Sequence, residues 1–174
     1  GNKNFFAGRF GEKPSINLSY NIKEKGFITK RLKTGTPPRL LAASINWEES
    51  SLVLGDPTPT PFSFETNYNH FSPENVPCHL VNTNPSVHEI INENLHLSPM
   101  YSGKINAVGP RYCPSVEDKI VRFSNRESHQ LFLEPEWVDS HQIYLNGFST
   151  SMPKEVQLKA LKQIPALLNV QLIR

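Results

Sequence analysis

The chain has 174 residues, which is enough for one domain with a core of its own. It contains no apolar run approaching about 18 residues, so a membrane-spanning helix is excluded. The two cysteines, Cys78 and Cys113, lack C-x-x-C spacing and predict reduced thiols in a cytoplasmic compartment. The six histidines follow no metal-ligand spacing, and we therefore predict no metal site.

The net charge of +2 hides a strong asymmetry along the chain. Between Lys23 and Arg39 there are six basic residues and one acid, whereas residues 40–103 carry seven acids and no lysine or arginine. The basic stretch could attract phosphate, and the acidic stretch would repel it. A solvated face with no binding role is the alternative interpretation.

The first predicted elements lie in and around this basic stretch. Residues 1–11 are expected to be irregular, and residues 15–25 to form a helix ended by Gly26. Alternation over residues 27–34 predicts a strand. Two prolines then predict a rigid loop over residues 34–39, which would present Arg31, Lys33 and Arg39 either to a phosphate or simply to solvent.

The middle of the chain predicts an extended crossover, a strand and a helix. Alternating prolines over residues 56–61 favour polyproline geometry, with the aromatic residues of segment 62–68 packed on apolar surface. Residues 76–83 read as a strand that places Cys78 in or near the core. Asn84 is expected to cap a helix that begins at Pro85 and buries Val87, Ile90 and Ile91. A loop over residues 98–103 and a short strand over residues 105–108 follow.

Cys113 precedes a predicted helix over residues 114–123, which Val116, Ile120 and Phe123 would bury as one apolar stripe. Pro114 suits the first helical position, which would place Cys113 at or beside the N-cap. Free backbone N–H groups there would favour a thiolate or bind a phosphate, although the acidic Glu117 and Asp118 oppose both. A buried, inert thiol ahead of a well-capped helix is the alternative.

The C-terminal third predicts a hairpin, a helix and a closing strand. The hairpin strands cover residues 130–134 and 142–145, the helix covers residues 154–163 after a cap from Ser149, Thr150 or Ser151, and the last strand covers residues 170–173. Glu134 is either a ligand-facing carboxylate or a solvated strand end. Together the elements indicate a mixed α/β fold of α+β type, with a mixed sheet and flanking helices.

Several longer motifs resemble, in order, those of the MnmG (GidA) family of flavin-dependent tRNA-modifying enzymes. They are Arg31-Leu-Lys-Thr-Gly-Thr-Pro-Pro-Arg39, Ser98-Pro-Met-Tyr-Ser-Gly103, the stretch from Gly109 to Phe123, His129-Gln-Leu-Phe-Leu-Glu-Pro135 and Asn146-Gly-Phe-Ser-Thr-Ser-Met-Pro153. The resemblance covers nearly the whole chain.

The resemblance implies an enzyme that, with an MnmE-type GTPase, adds an aminomethyl or carboxymethylaminomethyl group to carbon 5 of the tRNA wobble uridine. It implies FAD, NADH and a methylene-folate as cofactors or carbon donor, a homodimer at full length, and a cytoplasmic or mitochondrial-matrix location. Cys113 would be the catalytic cysteine, and Arg31, Lys33 and Arg39 would bind tRNA or another phosphate. The implied NAD-binding residues are Gly109, Pro110, Arg111, Tyr112, Cys113, Pro114, Ser115, Val116, Glu117, Asp118, Lys119, Ile120, Val121, Arg122 and Phe123.

The chain departs from the family pattern because it contains no glycine-rich G-x-G-x-x-G turn for FAD. We therefore expect an internal segment of a longer enzyme, inactive alone, in which residues 1–26 connect to a missing FAD domain and residues 27–174 form an NAD(H)-facing insertion domain. The rival hypothesis is a non-catalytic module that binds RNA or a partner protein. A general nicotinamide dehydrogenase is a third and weaker one, since no dinucleotide-binding turn is present.

Overall fold

The fold is built on a five-stranded antiparallel sheet, seen in a computed structural model that describes residues 5–9, 11–103, 107, 109 and 113–174. The strands are β1 (Arg39–Leu41), β2 (Ser51–Val53), β3 (Cys78–Asn82), β4 (Gln130–Pro135) and β5 (Gln142–Asn146), in the order β1-β5-β4-β3-β2. The α+β class is thus confirmed. All four strand pairings are antiparallel, so the sheet is more uniform than the mixed one expected.

The helices are α1 (Leu18–Glu24), α2 (Pro85–Glu93), α3 (Val116–Arg122) and α4 (Lys154–Leu161), with five short 3-10 turns among the described residues. Helix α2 packs against both α3 and α4. Its predicted start is confirmed, because the Asn84 side chain accepts a hydrogen bond from the Val87 N–H at 3.0 Å.

One hydrophobic core joins the sheet to these three helices. Leu131 and Leu133 of β4 and their neighbours Ile143 and Leu145 of β5 are all buried, since residues two apart on a strand share a face. They belong to the same cluster as the buried residues of the helices, which include Val87, Ile91, Val116, Ile120, Ala160 and Leu161. The predicted hairpin, β3, α2 and α4 are therefore confirmed.

Two predictions in the first half of the chain are wrong. Residues 27–34 contain no strand of two or more residues, only an isolated bridge at Leu32, and the real strand β1 begins at Arg39. Pro37 and Pro38 precede β1, so the ladder forms only after the last residue that lacks a donor. The aromatic residues after the proline run do not pack either, because Phe62 and Phe64 are fully exposed and Tyr68 is 57% exposed.

Near the C-terminus, two details differ from expectation. Pro153, with no capping side-chain hydrogen bond, occupies the N-cap of α4, so the predicted cap from residues 149–151 is wrong. The closing strand is reduced to one bridge between Leu40 and Leu172, supported by backbone hydrogen bonds on either side. The strand predicted over residues 105–108 falls mostly outside the described residues.

The N-terminal segment lies apart from the core. Helix α1 buries none of its residues, and Leu18 and Tyr20 are 60% and 61% exposed. It is shorter than predicted, but Gly26 follows its end with φ of +86°, the left-handed conformation expected of a glycine after a helix. No helix in the described part of the chain is long and apolar enough to cross a membrane.

Candidate active site

Helix α3 begins two residues later than the sequence predicted. Ser115 is its N-cap, where the Ser115 hydroxyl accepts from the Asp118 N–H at 3.1 Å and the Asp118 carboxylate accepts from the Ser115 N–H at 3.2 Å. This capping box satisfies two donors at once, and it prevailed over the preference of Pro114 for the first helical position. Cys113 therefore lies outside the helix, and the predicted N-cap position for its sulfur is wrong.

Cys113 is nevertheless exposed and lines an open cleft of about 420 Å³. The buried-thiol alternative is thereby excluded for this residue. The cleft is formed by three segments that are far apart in the sequence, and its lining consists of Lys33, Thr34, Gly35, Met100, Tyr101, Gly109, Cys113, Pro114, Ser115, Asp118, Val121 and Arg122. The other cysteine, Cys78, is half-buried in β3, and its pKa is raised by burial and by the nearby Glu134.

The basic segment reaches this cleft through Lys33. The Lys33 ammonium donates to the Met100 carbonyl at 2.8 Å, which joins the segment to the 98–103 loop. Thr36 and Thr150 pair through two backbone hydrogen bonds of 3.1 and 3.3 Å. At Gly35, an added Cβ would lie only 2.5 Å from the Thr150 nitrogen, so glycine is required for this close approach.

Arg39 is placed elsewhere, although it belongs to the same sequence motif. Its Nε donates to Glu136 at 2.7 Å, and its guanidinium lies 4.6 Å from the centre of the Tyr144 ring. Arg174 also pairs with Glu136, at 3.0 Å. The hydrogen bond from Arg39 is the main reason that the pKa of Glu136 lies below its usual value. Arg39 thus lies in strand β1 and not in the expected loop. The side chain of Arg31, by contrast, is exposed to solvent.

Tyr101 and Asp118 define the opposite wall of the cleft. The Tyr101 hydroxyl donates to Asp118 at 3.0 Å, and Arg122 approaches the same carboxylate at 3.6 Å. Burial, with a further contribution from Asp118, raises the pKa of Tyr101 to about 12. The phenol therefore keeps its proton at neutral pH and acts as a hydrogen-bond donor in the cleft.

Lys119 supplies a half-buried cation on the same helix. Its ammonium donates to the Gly147 carbonyl at 2.9 Å. Burial lowers the pKa of Lys119, and the charge of Cys113 raises it by a smaller amount.

The predicted nicotinamide-binding stretch divides into an inner and an outer face. Val116, Glu117 and Ile120 are buried on the inner face. The residues of this stretch that line the cleft form the outer face, where a ligand could contact them. Phe123, the expected third member of the apolar stripe, is 46% exposed, so that part of the prediction is wrong. Pro110, Arg111 and Tyr112 lie outside the described residues.

Sequence reasoning missed the burial of Glu117. This carboxylate has no solvent exposure and accepts hydrogen bonds from Ser98, Thr150 and the Ser151 N–H. Its donors come from positions 19, 33 and 34 residues away, so no local pattern could have revealed them. Glu134, for which the sequence allowed either a ligand-facing carboxylate or a solvated strand end, accepts a hydrogen bond from Asn146 at 2.8 Å.

The described residues contain no group of three or more His, Cys, Asp or Glu side chains arranged to hold a metal ion.

Comparison with known proteins gives a consistent result. The family model described as glucose inhibited division protein A matches residues 1–174. The chain is 48% identical to the tRNA uridine 5-carboxymethylaminomethyl modification enzyme MnmG of Bacillus licheniformis and 47% identical to that of Bacillus subtilis. Both matches cover 100% of this chain and 27% of the relative, so the chain spans about a quarter of their length.

A structural match agrees with the sequence matches. The chain superimposes on Aquifex aeolicus GidA with a TM-score of 0.85 and 46% identity, covering 100% of this chain and 30% of that one. A second crystal form of the same protein gives a TM-score of 0.83. Since the family model covers every residue, the chain belongs to the GidA (MnmG) family.

Proposed function

We propose that this chain is the segment of a tRNA-modifying enzyme that presents a reactive thiol to the wobble uridine, and that the enzyme adds a (carboxymethyl)aminomethyl group to carbon 5. The observation that carries the proposal is the exposed Cys113 in a cleft that also contains Lys33 and Tyr101. Relatives of the same family bear the name of a tRNA uridine modification enzyme and support the choice of substrate.

The proposed role of Cys113 follows from the chemistry of uracil. Carbon 5 is a poor nucleophile until a group adds at carbon 6, and a thiolate is well suited to that addition. A bond forms between sulfur and carbon 6, and the electron pair of the 5,6 double bond becomes available at carbon 5 to attack a one-carbon electrophile. Loss of the carbon 5 proton and release of the sulfur then restore the ring. A general-acid role of Cys113 at the same position is the alternative.

The other residues of the cleft have roles that match their chemistry. Lys33 and Arg122 provide positive charge for a phosphate of tRNA or of a nicotinamide dinucleotide. The protonated Tyr101 hydroxyl can donate to a ligand carbonyl if it exchanges its Asp118 partner. Arg31 is exposed and remains available for tRNA phosphate, whereas Arg39 would first have to leave Glu136.

The cofactors are proposed to divide between this chain and the rest of the protein. The outer face of the 109–123 stretch, with cationic side chains beside it, fits a phosphate-bearing ligand such as NADH, which would supply a hydride. The chain contains no G-x-G-x-x-G turn, which is the feature that the family resemblance implies for FAD. We therefore assign FAD mainly to polypeptide that the longer relatives contain beyond this segment.

The proposed assembly is the one expected of the whole enzyme. It comprises a homodimer, an MnmE-type GTPase that delivers the carbon unit from a methylene-folate, and tRNA, in the cytoplasm or the mitochondrial matrix. Residues 1–26 are proposed to connect to the FAD domain, because α1 buries none of its own residues in this segment. Residues 27–174 would form the insertion domain.

The deciding experiment compares the two cysteines in the full-length protein. Cys113→Ser should reduce the modified wobble nucleoside, measured by mass spectrometry of digested tRNA, by at least about a hundredfold. Cys78→Ser is the matched control and should modify tRNA almost normally, since Cys78 lies in strand β3 away from the cleft. Flavin absorbance should show equal FAD content in both variants.

Near-normal modification by Cys113→Ser would refute the assignment. The result would instead favour a non-catalytic module that binds RNA through its basic segment. That alternative also predicts that Cys113 alkylates no faster in the folded protein than in the unfolded chain, which peptide mass spectrometry of the alkylated protein measures.

A further inference from the structure

Glu117 is a buried carboxylate for which the proposed chemistry has no use. It is the second residue of α3 and has 0% exposure. Its Oε1 accepts from the Thr150 hydroxyl at 2.9 Å, the Ser151 N–H at 3.1 Å and the Ser98 hydroxyl at 3.2 Å. Its Oε2 is also buried but has no hydrogen-bond partner within the part of the chain that the structure describes.

A buried carboxylate in this state is costly. An ionised group loses its hydration when buried, and hydrogen bonds at only one of its two oxygens offset that loss incompletely. An apolar side chain at position 117 would avoid the penalty altogether, as the neighbouring Val116 and Ile120 do in the same core. A role beyond stability is therefore required to explain Glu117.

The donors to Glu117 lie behind the walls of the Cys113 cleft, since Ser98, Thr150 and Ser151 do not line it but join segments that do. Ser98 begins the loop whose Met100 and Tyr101 line the cleft. The Ser98 hydroxyl also lies 2.7 Å from that of Ser151, which ties this loop to the 149–152 segment. Glu117 itself is one residue from Asp118, whose carboxylate receives the Tyr101 hydroxyl.

Thr150 connects Glu117 to the basic wall as well. Its backbone forms both hydrogen bonds to Thr36, and Gly35 packs directly against it. These contacts hold the segment that carries Lys33 in place, and Lys33 in turn donates to the Met100 carbonyl. Helix α3 carries Glu117, the 98–103 loop contacts it through Ser98, and the 33–36 segment is connected to it through Thr150.

We propose that Glu117 is a positioning residue that fixes the three walls of the cleft around Cys113. It acts through Oε1, because this one atom accepts hydrogen bonds from the Thr150 hydroxyl, the Ser151 N–H and the Ser98 hydroxyl. The catalytic part of this inference rests on the function proposed above, whereas the geometric part does not. A misplacement of about 1 Å at a reacting centre can cost about a hundredfold in rate.

The test uses Glu117→Gln and Glu117→Ala in the full-length enzyme, with Glu93→Gln as the matched control at an exposed position of helix α2. Gln keeps one acceptor oxygen but removes the charge, whereas Ala removes both. The turnover number should fall about tenfold for Gln and about a hundredfold for Ala, with the KM for tRNA within about threefold of the wild type. The Glu93 variant should match the wild type, and all variants should keep their FAD content.

A second measurement tests the geometry of the segments around Glu117 independently of turnover. Amide hydrogen exchange in peptides that cover residues 98–103 and 149–152 should be faster in both Glu117 variants and unchanged in Glu93→Gln. If Glu117→Ala fails to fold, Thr150→Val should lower turnover about threefold, because it nearly preserves shape while removing the donor to Glu117 together with the acceptor of the Met152 N–H.

Three outcomes would overturn the inference. The first is turnover within twofold of the wild type in the Gln and Ala variants. The second is unchanged exchange in both cleft peptides. The third is a loss of turnover that only tracks lost FAD and lost folded protein, which would indicate a purely structural role. If Cys113→Ser is active but exchange still rises in the Glu117 variants, the geometric role stands and only the proposed catalysis fails.

Discussion

Replacement of Gly35 by alanine should open the cleft at the basic wall. The new Cβ would lie 2.5 Å from the Thr150 nitrogen and 2.7 Å from its carbonyl carbon and oxygen, well short of the 3.4 Å at which ordinary contact begins. All three neighbours are backbone atoms, so no side-chain rotation can relieve the clash. The 33–36 segment must therefore move away from Thr150.

That movement determines how much the pairing between Thr36 and Thr150 is weakened. The two hydrogen bonds between Thr36 and Thr150 already measure 3.1 and 3.3 Å, and a shift of several tenths of an ångström would break both. At about 1 kcal/mol net for each bond, the pairing loses about 2 kcal/mol. Since about 1.4 kcal/mol corresponds to a factor of ten, the local opening equilibrium should rise about thirtyfold.

The assay is amide hydrogen exchange in the full-length protein, followed by mass spectrometry of peptides that contain Thr36 and Thr150. Both amides should exchange about thirtyfold faster in Gly35→Ala. Gly55→Ala is the matched control, because its Cβ would meet only the flexible side chain of Asn75, at 3.3 Å. Unchanged protection in Gly35→Ala would refute the argument that this glycine is required for close approach.

Three further substitutions test the fold and its electrostatics in urea unfolding. Asn84→Ala removes the cap of α2 and should lower the free energy of unfolding by about 1 kcal/mol. The control Asn92→Ala, at an exposed position of the same helix, should change the free energy of unfolding little, and equal losses in the two variants would contradict the capping role. Leu133→Ala removes a fully buried side chain from β4 and should cost about 2–5 kcal/mol, and a loss below 1 kcal/mol would place it outside the core. Glu136→Gln removes a carboxylate whose pKa in the folded protein is lowered by Arg39. The wild type should therefore be more stable than the variant, fully so above the ordinary carboxyl pKa of 4.5. This difference in stability should disappear as the pH falls through the lower pKa of the folded protein. An advantage that persists in stronger acid would mean that the carboxylate charge is not its source.

The sequence predicted well what local patterns control. Asn84 followed by Pro85 identified the start of α2, and the alternation around Leu131 and Leu133 identified β4. The capping box of Ser115 and Asp118 was also present in the sequence, but the preference of proline for a helix start was given more weight. At the start of α3, therefore, two local rules competed and the capping box prevailed.

What the sequence could not predict depends on long-range contacts. Glu117 was predicted only as an acid of the first helical turn, and its burial could not be predicted because its partners Ser98 and Thr150 come from other segments. Arg39 was grouped with Lys33 by sequence motif, but β1 turns it toward Glu136, away from the Cys113 cleft. In both cases the tertiary fold, and not the spacing in the chain, decides which side chains meet.

The central claim is a covalent role for the Cys113 sulfur, and a trapped adduct tests it most directly. Full-length enzyme with its cofactors and partner would be incubated with tRNA that carries 5-fluorouridine at the wobble position, because fluorine cannot leave carbon 5 as the proton does. We predict that mass spectrometry of the digested complex finds the nucleotide attached to the peptide that contains Cys113, and that Cys113→Ser abolishes the adduct. An adduct on another residue, or none at all while Cys113→Ser still modifies tRNA, would contradict the account.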